Sequence, residues 1–417
     1  MRAWTPADAE RYLLSLELFG MRFGLDRMRR LMTAFGNPQR RFQSIHVVGT
    51  NGKSSTTRMI AAILSRHGLR SGAYTSPHLL SFAERIQVDE RDLEPAAFAA
   101  AVQRAARAAD LVNRSLSDGD HVTQFEALTA AAYDELAARG VEVAVIEAGL
   151  GGRYDATNVI PSRVQVLTGV GLEHTRWLGP TIGHIAAEKL DVVQRRGKLV
   201  LGHGLHPDAL AVARRVADER EAKIVCAPAD PEVSVAALGG FQRRNFACAR
   251  TAAEALLGEL DPAAVADAAA HTLVPGRLQI VGERPLTVLD GAHNPDGIAA
   301  LVESLAEPFA AGRAPRIGVV SILEDKDAAG MLRELVAACD ALICTSSHNP
   351  RALSPGTLQS LVGQLGGPHA DIVAEPRAAL DHASELAGPG GLVLATGSIY
   401  LVADLLAGER RASASNL

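Results

Sequence analysis

A lysine followed by three hydroxyl residues, Lys53-Ser54-Ser55-Thr56, directly after Gly49-Thr50-Asn51-Gly52, is the grouping in this chain with the clearest chemistry. Upstream, Ser44-Ile45-His46-Val47-Val48 reads as a short buried strand, and downstream Met59, Ile60, Ile63 and Leu64 recur at helical spacing until Gly68. A strand, a glycine loop and a helix start aim backbone N–H groups and the positive end of a helix dipole at one point. Lys53 adds a full charge there. The point suits nucleotide phosphates, and Ser54 or Ser55 offers a hydroxyl to Mg²⁺. The usual phosphate-loop pattern is met imperfectly, because Val47 stands five residues before Gly52 and the nearer glycine is Gly49. Taken alone, Gly-Lys-Ser is a weak signal, whose plain alternative is a surface turn that ends in an ordinary lysine. The flanking strand and helix favour the phosphate reading.

Further candidates stand at other strand ends. The apolar run Val143-Ala144-Val145-Ile146 reads as a central parallel strand that delivers Glu147, with Gly149, Gly151 and Gly152 just beyond. In open α/β sheets the ligand crevice lies at such ends, where a carboxylate can hold Mg²⁺ against phosphates. A solvated acid is the plainer account, but glycines packed this densely imply close approach to the backbone. His174 follows a strand at 164–168; a lone histidine is more often structural than a ligand, and spacing alone assigns it no role. Thr123 and Glu126 fit a capping box, which accounts for Glu126 without function. Residues 74–89, opening with the hydroxyl-studded run Tyr74 to Ile86, read as a loop able to close over a metal or substrate, or as a plain turn begun by Ser76-Pro77.

Positioning these groups takes two cores, since 417 residues exceed the span of one. Residues 7–34 read as paired helices built on Tyr12, Leu13, Leu16, Leu18, Leu25, Met28, Leu31 and Met32 and ended at Gly36-Asn37-Pro38. Residues 95–139 read as two helices parted near Asp118-Gly119-Asp120, 198–201 as a strand and 245–270 as an alanine-rich helix, while 202–240 carry no clear pattern. Val274-Pro275-Gly276-Arg277 marks the expected boundary between domains 1–273 and 274–417. Beyond it, strands at 286–289, 316–320, 341–345, 371–374 and 392–396 alternate with helices near 296–307, 328–339, 355–365, 376–387 and 399–407. That alternation predicts a second, smaller, mostly parallel sheet. Its strand ends carry Asp290-Gly291-Ala292-His293-Asn294-Pro295, Glu324-Asp325-Lys326-Asp327 and Ser346-Ser347-His348, expected to face the first domain. The tail after Glu409 reads as disordered.

A net charge of -5 without a basic face argues against a nucleic-acid partner. Cys226, Cys248, Cys339 and Cys344 lack metal or disulfide spacing and read as buried free thiols in a reducing compartment. No apolar run of about 18 residues is present to span a bilayer and residues 1–6 resemble no cleaved leader, so no membrane role and a cytoplasmic location are expected.

Ten motifs in order complete the reading: Gly24-Leu25-Asp26-Arg27-Met28, Gly36-Asn37-Pro38, Gly49 to Lys53, Thr75-Ser76-Pro77-His78-Leu79, Glu84-Arg85, Gly149-Leu150-Gly151-Gly152-Arg153 with Asp155-Ala156-Thr157-Asn158, Pro275-Gly276-Arg277, Asp290 to Pro295, Asp325-Lys326-Asp327 and Gly397-Ser398. Over nearly the whole chain this series resembles folylpolyglutamate synthase, often bifunctional with dihydrofolate synthase, in the Mur ligase superfamily. The resemblance implies an α/β fold: an N-terminal phosphate-loop ATPase-like domain with a mainly parallel sheet and a smaller C-terminal Rossmann-like domain. It also implies ATP-dependent amide formation. A carboxylate of tetrahydrofolate, and of dihydropteroate in bifunctional members, attacks the γ-phosphate of the co-substrate ATP, and the amine of L-glutamate attacks the acyl phosphate.

By the same resemblance, Gly49, Thr50, Asn51, Gly52, Lys53, Ser54 and Ser55 hold phosphates, and Asn245, Arg277 and Asp290 contact the nucleotide. Ser76 and Glu147 bind one Mg²⁺, and His174 with Glu147 a second. Lys189 matches a lysine that carries a carbamate in many relatives. Thr123, Gln124, Phe125, Arg153 and Asp155 lie near the folate, and His293 and Ser398 near the glutamate. A single chain can enclose such a site, so a monomer is expected. Six residues at four places depart from the family: Ser54 replaces a glycine, Glu173 an aspartate, Leu190-Asp191 an alanine-glycine pair, and Arg243-Arg244 precede Asn245. Two alternatives are a Mur-type enzyme acting on a nucleotide-linked peptide, disfavoured by Gly149 to Arg153, and a module that binds ATP without catalysis.

Overall fold

The computed structural model describes residues 2–16, 24–117 and 119–407; Leu18, Asp118 and the tail after Glu409 lie outside the described residues. A sheet of eight strands comes first: β1 (Gln43–Val48), β2 (Ser71–Tyr74), β3 (Ile86–Val88), β4 (Arg91–Asp92), β5 (Val143–Glu147), β6 (Val164–Leu167), β7 (Lys198–Leu201) and β8 (Lys223–Cys226). Their spatial order is β4-β3-β2-β5-β1-β6-β7-β8, parallel from β2 to β8 with β3 and β4 antiparallel at one edge. Alternation within the central strands explains the layers. Ala144 and Ile146 pack with the helices Pro95–Asn113 and Gln124–Ala138, whereas Val143 and Val145 face the helices Lys53–Arg66 and Gly240–Leu257.

The second sheet holds β9 (Gln279–Glu283), β10 (Leu286–Leu289), β11 (Arg316–Val320), β12 (Ala341–Cys344), β13 (Ala370–Ile372) and β14 (Leu392–Thr396) in the order β13-β12-β11-β14-β10-β9. Only the β9–β10 pair is antiparallel. Helices flank both faces, again with alternate residues of the central strands serving opposite cores. This is the expected two-sheet α/β architecture.

Register does the positioning. Val47 of β1 lies beside Glu147 of β5, and β6 flanks β1 on its other side, so the loop after β1 opens between two parallel neighbours. Such a switch point leaves a crevice at the strand ends. The second sheet is held over that crevice. Leu79, from the loop after β2, is buried in the core of the second sheet with Leu289 and Val402. Arg243 on the helix Gly240–Leu257 meets Glu307 with two hydrogen bonds of 3.1 Å, and Arg244 faces Glu303 at 3.8 Å. The arginine pair that departs from the family therefore joins the two halves.

Several elements differ from the sequence expectation. Residues 74–89 are not loop throughout, because Tyr74 ends β2, Phe82–Arg85 form a 3₁₀ turn and Ile86–Val88 are the strand β3. Residues 202–240 contain the helix Pro207–Arg220 and β8. The expected helix at 245–270 is two helices, Gly240–Leu257 and Pro262–His271. Gly258 takes φ 93°, and the Asp261 side chain caps the second with Pro262 at its first position. β9 escaped notice because its residues are mostly exposed and form no apolar run.

Candidate active site

Gly52, at φ 82°, lets the chain turn from β1 into the helix Lys53–Arg66, and a Cβ there would stand 2.5 Å from the Asn245 amide oxygen. The loop is pinned from the β6 side: Thr50 N donates to Gly169 O at 2.8 Å, Gly171 N to Thr50 Oγ1 at 3.0 Å and Thr168 Oγ1 to Asn51 O at 2.6 Å. Lys53 folds back so that Nζ donates to Gly49 O and Thr50 O, both at 3.1 Å. Its charge thus sits within the loop's curve. From the far side Lys189, buried near the end of the helix Ile182–Leu190, donates to Gly49 O at 2.7 Å. Burial, with Lys53 nearby, lowers its pKa to about 7, so a large share of this amine is neutral near neutrality.

Glu147 is 1% exposed and accepts from Ser76 N at 3.0 Å and Ser54 Oγ at 2.9 Å. The serine that replaces the family's glycine after the lysine thus orients this carboxylate. Burial raises the Glu147 pKa, against Lys53, the two serine contacts and Arg277. A divalent cation fits this corner: the donors of Glu147, Ser54 and Ser76 are hard oxygens, and added positive charge would offset the desolvation of the carboxylate. Among the described residues no group of three or more His, Cys, Asp and Glu forms a closed metal cage. The corner is an open site shared with whatever binds the loop.

The second sheet faces it. Asn51 and Asn294 exchange amide hydrogen bonds of 3.1 and 3.0 Å, joining the phosphate-type loop to the helix Pro295–Ser304. Asp290, at the end of β10, is buried and accepts from Leu278 N at 2.8 Å and Ala292 N at 2.7 Å. Burial raises its pKa, and Arg277 opposes this. Glu173 links the halves through Lys326 Nζ at 2.8 Å and His293 Nε2 at 3.3 Å, and its neighbour His174 stands with Nε2 at 3.8 Å. Burial works against its charge, but His293, Lys326 and His174 outweigh burial and hold the carboxyl far below its usual range. His174, at φ 51° just before a short helix, is lowered to about 4 by burial and by Lys326, Lys53 and Lys189, against Glu173. Ser398 is buried at the start of the helix Ile399–Ala407, where it accepts from Tyr400 N at 3.1 Å.

Apart from Asn294, these side chains line one cleft of about 940 Å³ between the sheets, with Ser55, Asn245, Arg277 and His293. Thr123, Phe125 and Asp155 line its other end; Asp155 accepts from Leu150 N at 2.8 Å and from Thr157, and burial raises its pKa against those bonds. Gln124 and Arg153 do not line the cleft. Gln124 Nε2 donates to Leu13 O at 2.8 Å, and Arg153 pairs with Glu188 at 2.8 Å. Glu126 caps its helix as expected, and it also holds buried Arg27 through two contacts of 3.1 Å at the cleft wall. Sequence reasoning gave no task to Arg27, Tyr154, Trp177 or Lys326, all of which line the cleft. An exposed tryptophan beside a strand-end histidine was the available signal.

Comparison with known proteins agrees with this geometry. Residues 276–399 match the Mur ligase, glutamate ligase domain. The dihydrofolate synthase/folylpolyglutamate synthase of Mycobacterium tuberculosis is 34% identical over 403 residues, covering 87% of this chain and 82% of that protein. Among solved structures, M. tuberculosis folylpolyglutamate synthase complexed with ADP and AMPPCP superposes with a TM-score of 0.89 at 30% identity, over 98% of this chain and 100% of that one. The bifunctional folylpolyglutamate synthase/dihydrofolate synthase of Yersinia pestis, complexed with AMPPNP and a Mn ion, gives 0.85 at 28% identity, over 98% of each chain.

Proposed function

The chain belongs to the folylpolyglutamate synthase/dihydrofolate synthase family of the Mur ligase superfamily, and from that premise we propose that it joins L-glutamate to the carboxylate of a folate at the expense of ATP. The acceptors are tetrahydrofolate and dihydropteroate, and the divalent ion is Mg²⁺, at two positions. One observation carries the reading: a phosphate-type loop and a buried carboxylate on one sheet share a cleft with His293 and Lys326 from the other. Three reactants need such a meeting place.

A carboxylate acylates poorly because oxide is its leaving group. Attack of a folate carboxylate oxygen on the γ-phosphorus breaks the bond to the β–γ bridging oxygen and releases ADP. The glutamate amine then attacks the acyl carbon, phosphate departs, and the amine loses a proton. Lys53 and the loop N–H groups stabilise the charge that grows on the transferring phosphoryl group. Glu147, Ser76, Ser54 and His174 are the residues that would hold the metal, whose chemistry when bound is to neutralise phosphate charge. Asn245, Arg277 and Asp290 serve the nucleotide, Thr123, Phe125 and Asp155 the folate, and His293 and Ser398 the glutamate. The neutral share of Lys189 supports its carbamylation. Leu190 is buried and Asp191 faces Arg153 and Arg220, both at 3.7 Å, so neither substituted neighbour contends for the amine.

The domains of this reading are 1–273 and 274–417, which the strand membership of the two sheets supports. Four free cysteines, three of them buried and Cys226, contrary to expectation, exposed at the end of the edge strand β8, support a reducing, cytoplasmic setting, and a cleft closed by one chain supports action as a monomer. Among the described residues no helix is long and apolar enough to cross a membrane. The test offers purified protein ATP, Mg²⁺ and L-glutamate with tetrahydrofolate or dihydropteroate side by side. ADP release that needs both the pteridine and glutamate is expected, and its absence with every folate and pteroate would overturn the proposal.

A further inference from the structure

Glu173 is a cleft carboxylate to which the proposed reaction gives no task. It stands on the first half of the chain, yet its nearest partners, Lys326 and His293, belong to the loops after β11 and β10 of the second sheet. Its side chain is only 10% exposed, and that of Lys326 is 11% exposed. Asp325 stays 3.9 Å from Lys326 and is engaged by Arg351 at 3.3 Å. The shortest contact Lys326 makes with a carboxylate is therefore with Glu173.

An incoming amino acid with two carboxylates needs N–H donors and positive charge in this same cleft, and on the second sheet Lys326 and His293 line it but already meet a glutamate side chain. An aspartate, one methylene shorter, would not span from the same backbone to Lys326 as closely. We propose that Glu173 is an internal stand-in for the acceptor: its carboxylate fills the Lys326–His293 subsite while the cleft is empty, and free L-glutamate must displace it to bind. The inference rests on the ligase reading.

A tethered competitor lowers apparent affinity by the fraction of time it holds the subsite. It also keeps the Lys326 charge paired and ties the two sheets together between turnovers. Glu173→Gln keeps the shape and removes the competing charge. In steady-state assays with saturating ATP and tetrahydrofolate, KM for L-glutamate should fall roughly tenfold, the scale of one charge-assisted contact, while KM for ATP stays within about twofold of wild type. Glutarate, a dicarboxylate without an amine, should inhibit the variant at correspondingly lower concentration. Glu173→Asp, which keeps the charge with shorter reach, should move both readouts the same way by less, and it decides the matter if the glutamine variant fails to fold. Unchanged or raised KM for glutamate, with unchanged glutarate inhibition, would overturn the proposal and make Glu173 an ordinary orienting partner of Lys326. A wild-type protein that releases no ADP with any folate would instead remove the ligase reading, and this inference with it.

Discussion

Gly152→Ala tests how the loop after β5 is fitted to the helix Ile182–Leu190. A Cβ at Gly152 would stand 2.5 Å from the carbonyl oxygen of Lys189 and 2.8 Å from that of Glu188. Both are backbone atoms, so no rotamer change relieves the clash. Arg153 N also donates to Glu188 O at 3.0 Å, and parting loop from helix would break that bond. Overpacking costs about 1–3 kcal/mol, the lost hydrogen bond about 1 kcal/mol, and the stiffer unfolded chain returns about 0.4–1 kcal/mol. The net loss is about 2 kcal/mol, or about 4–8 °C in Tm at the 2–4 °C per kcal/mol of a domain near this size. Moving that helix end also moves Lys189 away from Gly49 O, so KM for ATP should rise in the same variant. Gly183→Ala in the same helix is the control. Its Cβ would meet nothing nearer than Thr181 Oγ1 at 3.8 Å, and it should gain up to about 0.5–1 kcal/mol. Differential scanning calorimetry of both variants decides the matter, and a Gly152→Ala protein that melts at or above wild type would refute the reasoning.

Lys53→Ala should lower kcat for ADP release by about 10²–10³, and a near-normal kcat would mean that the loop does not hold the transferring phosphate. Glu126→Ala removes both contacts to Arg27 and the N-cap partner of Thr123; urea titration should show a loss of about 3 kcal/mol, the low end for a broken buried pair because Asp120 still faces Arg27 at 3.1 Å. His46 is buried with its pKa lowered to about 3 by desolvation. Its contribution to stability is therefore whole above about pH 6.5 and is lost as pH falls toward 3, by about 1.4 kcal/mol per unit. His46→Gln should remove that slope from urea titrations between about pH 6 and 4.5, and an unchanged slope would show that other groups carry it.

Legibility followed burial. Val143 to Ile146 and Leu392 to Ala395 are unbroken apolar runs because parallel strands are covered on both faces, and both were readable as strands. Ser71-Gly72-Ala73-Tyr74 is equally buried but is chosen for fit instead of hydrophobicity: a Cβ at Gly72 would come within 2.7 Å of Leu136. No periodicity reveals such a strand. Gln124 and Arg153 were grouped with the folate residues by position in motifs, and helix phase turned Gln124 toward Leu13 while Glu188 drew Arg153 to the cleft's outside.

What the sequence by itself determined is local: a strand, a glycine loop and a lysine at a helix start, acids and histidines at strand ends, and two runs of alternating strands and helices. Local order suffices for these because each depends on neighbours a few residues away. Tertiary structure alone decided which ends meet. Asn51 finds Asn294, Arg243 finds Glu307, and Glu173 finds Lys326 only because two separately cored sheets pack through Leu79 and the helix Gly240–Leu257. Partners so far apart in the chain are selected by the burial of both sheets' faces, and no spacing within the sequence encodes that match.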